Sequence, residues 1–332
     1  MTKIKTNKCT PGGGFYKKIS FFLGKNVKEC NIFVLLILAF SIISLFGATS
    51  YAIFTREISG TGSIKMVVGK TVLGESLNNL IMAQGVVSEG AGLYSSTETN
   101  DGKPTYYYKG AVENNYVSFA GFTWRVVRIN EDGTVRLIMQ DGINNNTGYA
   151  FNLTNNEYKY MYYTASNITG GAMKMLEDWY DEHLSAYDTL IATGTYCEQA
   201  KVKYSSSATS ENAEMKLFSS YTPDFRCKED DGNGYGIVNS KVGIISIDEV
   251  LHAGGNFSEE NDYYLVNGNK FWTMSPSGLA VRFTLAWDVG NAGKVASSFV
   301  TVYNPLRPLI SLETDTLVSG SGKAGDMWIV QS

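Results

Sequence analysis

The chain has 332 residues, 44% apolar and 18% charged, a balance that excludes a disordered or low-complexity protein and suits one large domain or two modest ones. Its net charge of −4 is unevenly spread: seven lysines against Glu29 give residues 1–30 a charge of +6, which leaves −10 on residues 31–332. So acidic a remainder excludes nucleic acid, anionic lipid and anionic wall polymers as partners of the main body, and leaves neutral or basic ligands.

Residues 1–30 read as a basic cytoplasmic tail. Residues 31–54 follow as a single transmembrane signal-anchor, since Ile32 to Phe54 holds no charged residue. As a helix those residues span roughly 35 Å, enough to cross a bilayer. The lysines before the segment stay inside, which places everything after Phe54 outside the cell membrane. Ser50 and Ala52 offer the small residues of a signal-peptidase site. The length of the apolar run and Tyr51 between them favour an uncleaved anchor over cleavage.

Residues 55–104, rich in Gly, Ser, Thr and Asn, read as a flexible stalk with one short helix from about Glu75 to Gln84. The globular extracytoplasmic domain is expected over 105–332. Its first clear signal is 116–140, where two β-rich runs flank Asn130-Glu131-Asp132-Gly133, the turn chemistry of a hairpin. Met173, Leu176, Tyr180 and Leu184 recur at helical spacing, with Trp179 beside them and acids on the other side. Val242–Ile247 reads as a buried strand ahead of a short helix at Asp248–His252. Phe271–Met274, Val281–Leu285, Val295–Val302 and Met327–Val330 read as strands, with a turn at Ser275-Pro276-Ser277-Gly278. The expected class is therefore α+β, mostly strand, with one main amphipathic helix.

Cys9 and Cys30 fall on the cytoplasmic side and are expected as thiols. Cys197 and Cys227 fall outside, where a disulfide persists; two isolated cysteines make a poor zinc site.

The ordered blocks Tyr116–Gly121 with Trp124-Arg125, Leu176–Tyr180, Gly243–Gly255, Trp272–Pro276 and Arg307–Leu312 resemble a family of membrane-anchored surface proteins of low-GC Gram-positive bacteria. The resemblance covers about Gly92 to the end and carries no activity with it. More distantly, the tryptophan and Ser-Pro block followed by Arg-Pro is similar to sulfatase-modifying-factor and C-type-lectin-like domains. That similarity implies a lectin-like fold; fold does not fix function. Met327-Trp328 departs from the Pro-Tyr pair of those domains, a difference read as belonging to an edge strand.

Function then rests on residues. His183 and His252 are the only histidines, read as a solvated face residue and a locally bonded one. No HExxH, GxSxG or phosphate loop is present, so no catalytic residues are expected. Glu259-Glu260-Asn261-Asp262 and Trp287-Asp288 faintly resemble the calcium ligands of C-type lectins, but the spacing does not match. No cofactor is therefore expected, Ca²⁺ being the one ion these oxygens would suit. Tyr158, Tyr160 and Tyr162 alternate, and on a strand would line one face. Tyrosine suits sugars and protein partners alike. The candidate contact surface comprises these tyrosines with Glu260, Asn261, Asp262, Tyr264, Ser275, Ser277, Trp287 and Asp288. The expectation is a surface protein that recognises a glycan or a protein ligand. The alternative is a structural or assembly component of the envelope, and a redox enzyme using Cys197 and Cys227 comes third.

Overall fold

The computed structural model describes residues 74–154, 163–167, 169–198, 222–227, 237–280 and 283–331. The basic tail, the apolar segment Ile32–Phe54, residues 55–73 and Tyr158, Tyr160 and Tyr162 lie outside the described residues. Among the described residues no helix is long and apolar enough to cross a membrane.

The described elements form a mixed α+β unit, mostly strand. In chain order they begin with β1 (Glu75–Ser76), α1 (Leu77–Met82), β2 (Gly92–Ser96) and β3 (Thr105–Lys109). Next come β4 (Tyr116–Phe119), β5 (Phe122–Ile129), β6 (Val135–Met139), β7 (Gly148–Ala150) and α2 (Ala172–His183). Then follow β8 (Ile191–Ala192), β9 (Gly194–Cys197), β10 (Ile237–Ser240) and α3 (Ile247–Ala253). The last are β11 (Phe271–Ala280), β12 (Phe283–Val289), β13 (Val295–Phe299), β14 (Tyr303–Pro305), β15 (Leu309–Leu312), β16 (Leu317–Ser319) and β17 (Trp328–Val330). The large sheet runs β1-β16-β17-β4-β5-β6-β15-β8, with β3 joined to the far end of β5 and β2 to β3. Its β17–β4 pair is parallel. A second sheet is β11-β12-β13, and two ribbons pair β9 with β10 and β7 with β14.

The packed unit begins at Gly74. Residues 74–104, expected as the end of a stalk, are therefore part of the domain. Leu77 and Ile81 have no exposed surface, and β1 pairs with β16. Each such side chain contributes about 1.5–3 kcal/mol on burial, far more than a polar spacer obtains. The helix expected at 75–84 is α1.

The hairpin at 130–133 is present. Asn130 N–H donates to Thr134 O at 2.8 Å, and Gly133 supplies the φ of +86° the turn requires. In β5 the simple alternation fails, because residues 124–129 are all buried and the register slips between Val126 and Arg128. The bulge sets Arg128 opposite Arg136.

The resemblance blocks prove to be core. Trp124, Trp272 and Trp328 are essentially inaccessible. Arg125 donates to Asn115 Oδ1 and Val112 O at 2.7 Å each, and lies 3.8 Å from the Tyr116 ring centroid. Arg307 donates to Met139 O at 2.8 Å and Leu265 O at 2.6 Å. Each arginine thus satisfies one loop carbonyl, Val112 O for Arg125 and Leu265 O for Arg307, that strand pairing does not reach. Trp328 lies in β17 between β16 and β4, an interior position rather than an edge.

Two further boundaries differ from expectation. The strand β11 runs straight through Ser275-Pro276-Ser277-Gly278, its register shifting on either side of Pro276. A bulge accommodates the missing N–H, so no turn is needed. Val242–Ser246 is buried, but it joins the large sheet only through a bridge between Gly243 and Leu309 before α3 begins at Ile247. The helix itself starts with a capping box, Ser246 Oγ accepting from Glu249 N–H and Glu249 reaching back to Ser246 N–H.

Candidate functional site

An open groove of about 500 Å³ lies where the start of β5, the end of β6, the following loop and α2 meet. One wall is aromatic. Phe122 and His183 stack with ring centroids 5.7 Å apart and planes 12° apart. Trp179 stands 5.2 Å from each of them, tilted to Phe122 and edge-on to His183. The α2 periodicity produces this wall: Leu176, Trp179 and Tyr180 turn inward, and His183, one turn beyond Trp179, remains half-buried at the rim. His183 is thus a stacked wall residue, not the freely solvated one expected.

A run of amides shares the lining. Asn144, Asn145 and Asn146 take φ values of +51°, +58° and +62°, a left-handed turn built without glycine. Asparagine tolerates this region best among residues with a Cβ, yet each instance still costs of order 1 kcal/mol. The turn is held from both sides. Ile143 is buried and donates to Leu306 O at 2.9 Å. Asn146 Oδ1 accepts from Gly142 N–H at 2.6 Å, and Asn144 Nδ2 donates to Tyr149 Oη at 2.7 Å. Gly142 is required there, since a Cβ would sit 2.9 Å from Pro305 Cβ. Asn145 is exposed, and Asp141 is the one acid on the lining. Flat rings together with amide donors and acceptors in one lining can grip a polyhydroxylated ring on its apolar face and its rim.

A second cavity, about 280 Å³, lies beside the disulfide. Cys197 and Cys227 are bonded, as the sequence led one to expect. The bond ties residues 222–227 down as a strap: Asn100 exchanges two hydrogen bonds with the Cys227 backbone, at 2.7 and 2.8 Å. Phe225 stacks on His252 at 4.1 Å. His252 is therefore an aromatic-packed histidine whose Nε2 is buried without a hydrogen-bond partner, not a locally bonded one. Burial lowers its pKa to about 4. Below the strap, Glu249 Oε1 accepts from Arg128 Nε at 3.2 Å and Arg136 Nη1 at 2.7 Å. Burial alone would raise Glu249, but the charges of Arg136 and then Arg128 outweigh it and hold the carboxyl down at about 2. This cavity has a fully internal ion cluster as its base and serves the fold.

Among the described residues the sequence-derived contact surface does not assemble. Glu260, Asn261 and Asp262 are exposed, and Asn261 is bonded to Gly254 O. Tyr264, Ser275, Ser277, Trp287 and Asp288 are buried, so they offer nothing to a ligand. Tyr264 underlies Arg125, Ser275 Oγ accepts from Ile247 N–H at 3.0 Å, and Trp287 packs on Phe257 at 5.0 Å. Ser275 is absorbed by a backbone partner, whereas the Tyr264 and Ser277 hydroxyls are buried with no hydrogen-bond partner. Asp288 is an ion-pair partner of Lys270. Among the described residues no three His, Cys, Asp or Glu side chains converge to hold a metal ion. The groove was missed because three separated segments build it; the run Asn144-Asn145-Asn146 ahead of Thr147-Gly148 was its one local signal. The chain matches no family model, and neither a curated protein nor a solved structure shows significant similarity to it.

Proposed function

We propose that this is a cell-surface binding protein, anchored by its N-terminal apolar segment, whose ectodomain recognises a neutral glycan in the groove between Trp179 and Asn145. The observation that carries the reading is that the Phe122–Trp179–His183 cluster and the left-handed asparagine turn line one groove of about 500 Å³. That volume accommodates a small-molecule-sized ligand. A near-neutral lining within a chain body of charge −10 suits an uncharged sugar better than an anionic polymer. The disulfide supports an oxidising, extracytoplasmic setting. A lectin-like ancestry for the fold belongs to the same proposal.

Binding of residues 74–332 to a glycan array, followed by titration of the best ligand, tests this. Phe122→Ala and Asn145→Ala should each weaken binding at least tenfold with the fold intact. Absence of any glycan bound above an inert control overturns it.

A second reading, a packing component of the envelope, draws on one surface feature. Phe283 and Phe299 meet edge to face at 5.5 Å while both remain over 40% exposed, and Tyr303 nearby in sequence is 70% exposed. A stoichiometric envelope partner lost on Phe299→Ser, with no glycan bound, favours that reading instead.

A further inference from the structure

The most unusual polar arrangement among the described residues is far from the groove residues in sequence. Asp288, in the middle strand of the β11-β12-β13 sheet, has no exposed surface. Its Oδ2 is approached from two sides. Lys270 Nζ, from the residue preceding β11, lies at 3.1 Å, and Asn304 Nδ2, from β14, lies at 3.4 Å. Its Oδ1 is buried without a hydrogen-bond partner. Ser298 Oγ, on β13, takes a further hydrogen bond from Lys270 Nζ at 2.9 Å, which keeps the amine turned inward although the lysine side chain is 39% exposed.

A fully buried carboxylate with one oxygen unsatisfied is a costly way to make an ion pair. Replacing the trio together by apolar residues of similar volume would remove that cost, so stability alone does not account for it. The chemistry of the three groups does. An amine is a nucleophile once it has lost its proton, a carboxamide is an acyl donor, and a carboxyl touching both nitrogens can take a proton from one and deliver it to the other.

We propose that Lys270 and Asn304 become joined by an intramolecular amide bond, with Asp288 as the proton carrier. Asp288 Oδ2 accepts the excess proton of the Lys270 ammonium, and the freed Nζ attacks Asn304 Cγ. The tetrahedral intermediate passes a second Nζ proton through the carboxyl group to Nδ2. The Cγ–Nδ2 bond then breaks, the Nζ–Cγ bond remains, and the leaving group departs as ammonia. No oxidant, metal or cofactor enters the balance. The bond would close the chain from 270 to 304 and tie the three-stranded sheet covalently to the β7–β14 ribbon. This holds whether or not the groove binds a glycan.

Peptide mapping of the full chain isolated from its native host tests it. The expected result is a branched tryptic peptide joining Lys270 to Asn304, one ammonia lighter than its two linear parts, with cleavage after Lys270 abolished. Lys270→Arg, at a part-exposed position, should fold, give both linear peptides and restore cleavage at 270. Asp288→Asn should leave the two side chains unlinked in protein that still passes a folding check by circular dichroism. Linear, unmodified peptides carrying Lys270 and Asn304 in the native protein overturn the proposal. A branched peptide still formed by Asp288→Asn overturns the role given to Asp288.

Discussion

Arg128 and Arg136 stand directly opposite each other on β5 and β6, a like-charge pairing that a sheet does not tolerate unaided. Glu249 makes it tolerable by accepting from both, and the same carboxyl completes the N-terminal cap of α3. One residue therefore joins a bulged strand pair, a helix start and the floor of the second cavity. Glu249→Gln separates these roles, because glutamine still serves a capping box while the charge is lost. Arg136 then loses its carboxylate partner while Arg128 keeps Glu131 at 2.9 Å, and the expected loss is about 3–5 kcal/mol. Urea denaturation of residues 74–332 at pH 7 measures it. A loss below 1 kcal/mol would mean that water reaches the cluster.

The same carboxyl and Glu198 predict opposite pH behaviour. Glu249 is held at about 2, below its ordinary range, so its contribution is complete above roughly pH 4.5 and disappears as pH falls toward 2. Glu198 has no exposed surface, and burial raises it to about 7 against hydrogen bonds from the backbone and hydroxyl of Thr164. A raised carboxyl stabilises below its unfolded value and loses that contribution as pH rises through about 7. Glu198→Gln should therefore flatten the stability profile between pH 5 and 8, by at most about 3 kcal/mol. Thermal unfolding of wild type and variant across that range decides it: parallel curves would show that Glu198 is ionised and solvated.

Reducing the Cys197–Cys227 bond should act on His252. The loop closed by the bond spans 30 residues, and the chain-entropy argument gives a stabilisation of about 3–4 kcal/mol. Loss of the bond loosens the strap that presses Phe225 onto the imidazole. His252 should then rise from about 4 toward the ordinary histidine range as water reaches it. The chain has two histidines, so their NMR titrations before and after reduction are simple to separate. An unchanged His252 would show that the strap stays docked without its covalent tie.

Much of this architecture was legible where one residue type has one use. Asp132-Gly133 announced the hairpin, and Leu176, Tyr180 and Leu184 announced α2, because turn geometry and helical period are local properties. Leu77, Ile81 and Leu93 were hidden in a segment of stalk-like composition; their partners lie in β16 and β3, distant in sequence. Ser275, Ser277 and Asp288 looked like surface and are core, since a strand covered on both faces has no polar side to display. The groove needed Phe122, Asn145 and Trp179 to meet, which only the assembled sheet and helix decide. A run of three asparagines fixes no partner by itself.

The left-handed turn supplies the sharpest test of the groove. Asn145 sits at φ +58° and ψ +48° with its side chain exposed, and no fold contact repays that conformation. Glycine reaches the same backbone without a Cβ penalty, so Asn145→Gly should raise stability by roughly 0.5–1 kcal/mol, while Asn145→Ala should lower it by about 1 kcal/mol. If the amide is retained for ligand, both variants lose affinity to a similar extent, and stability and binding move in opposite directions only in the glycine variant. Calorimetric unfolding paired with titration of the glycan identified on the array gives both numbers from one preparation. A glycine variant that is more stable and binds as tightly as wild type would assign the turn to backbone shape alone and remove Asn145 from the recognition surface.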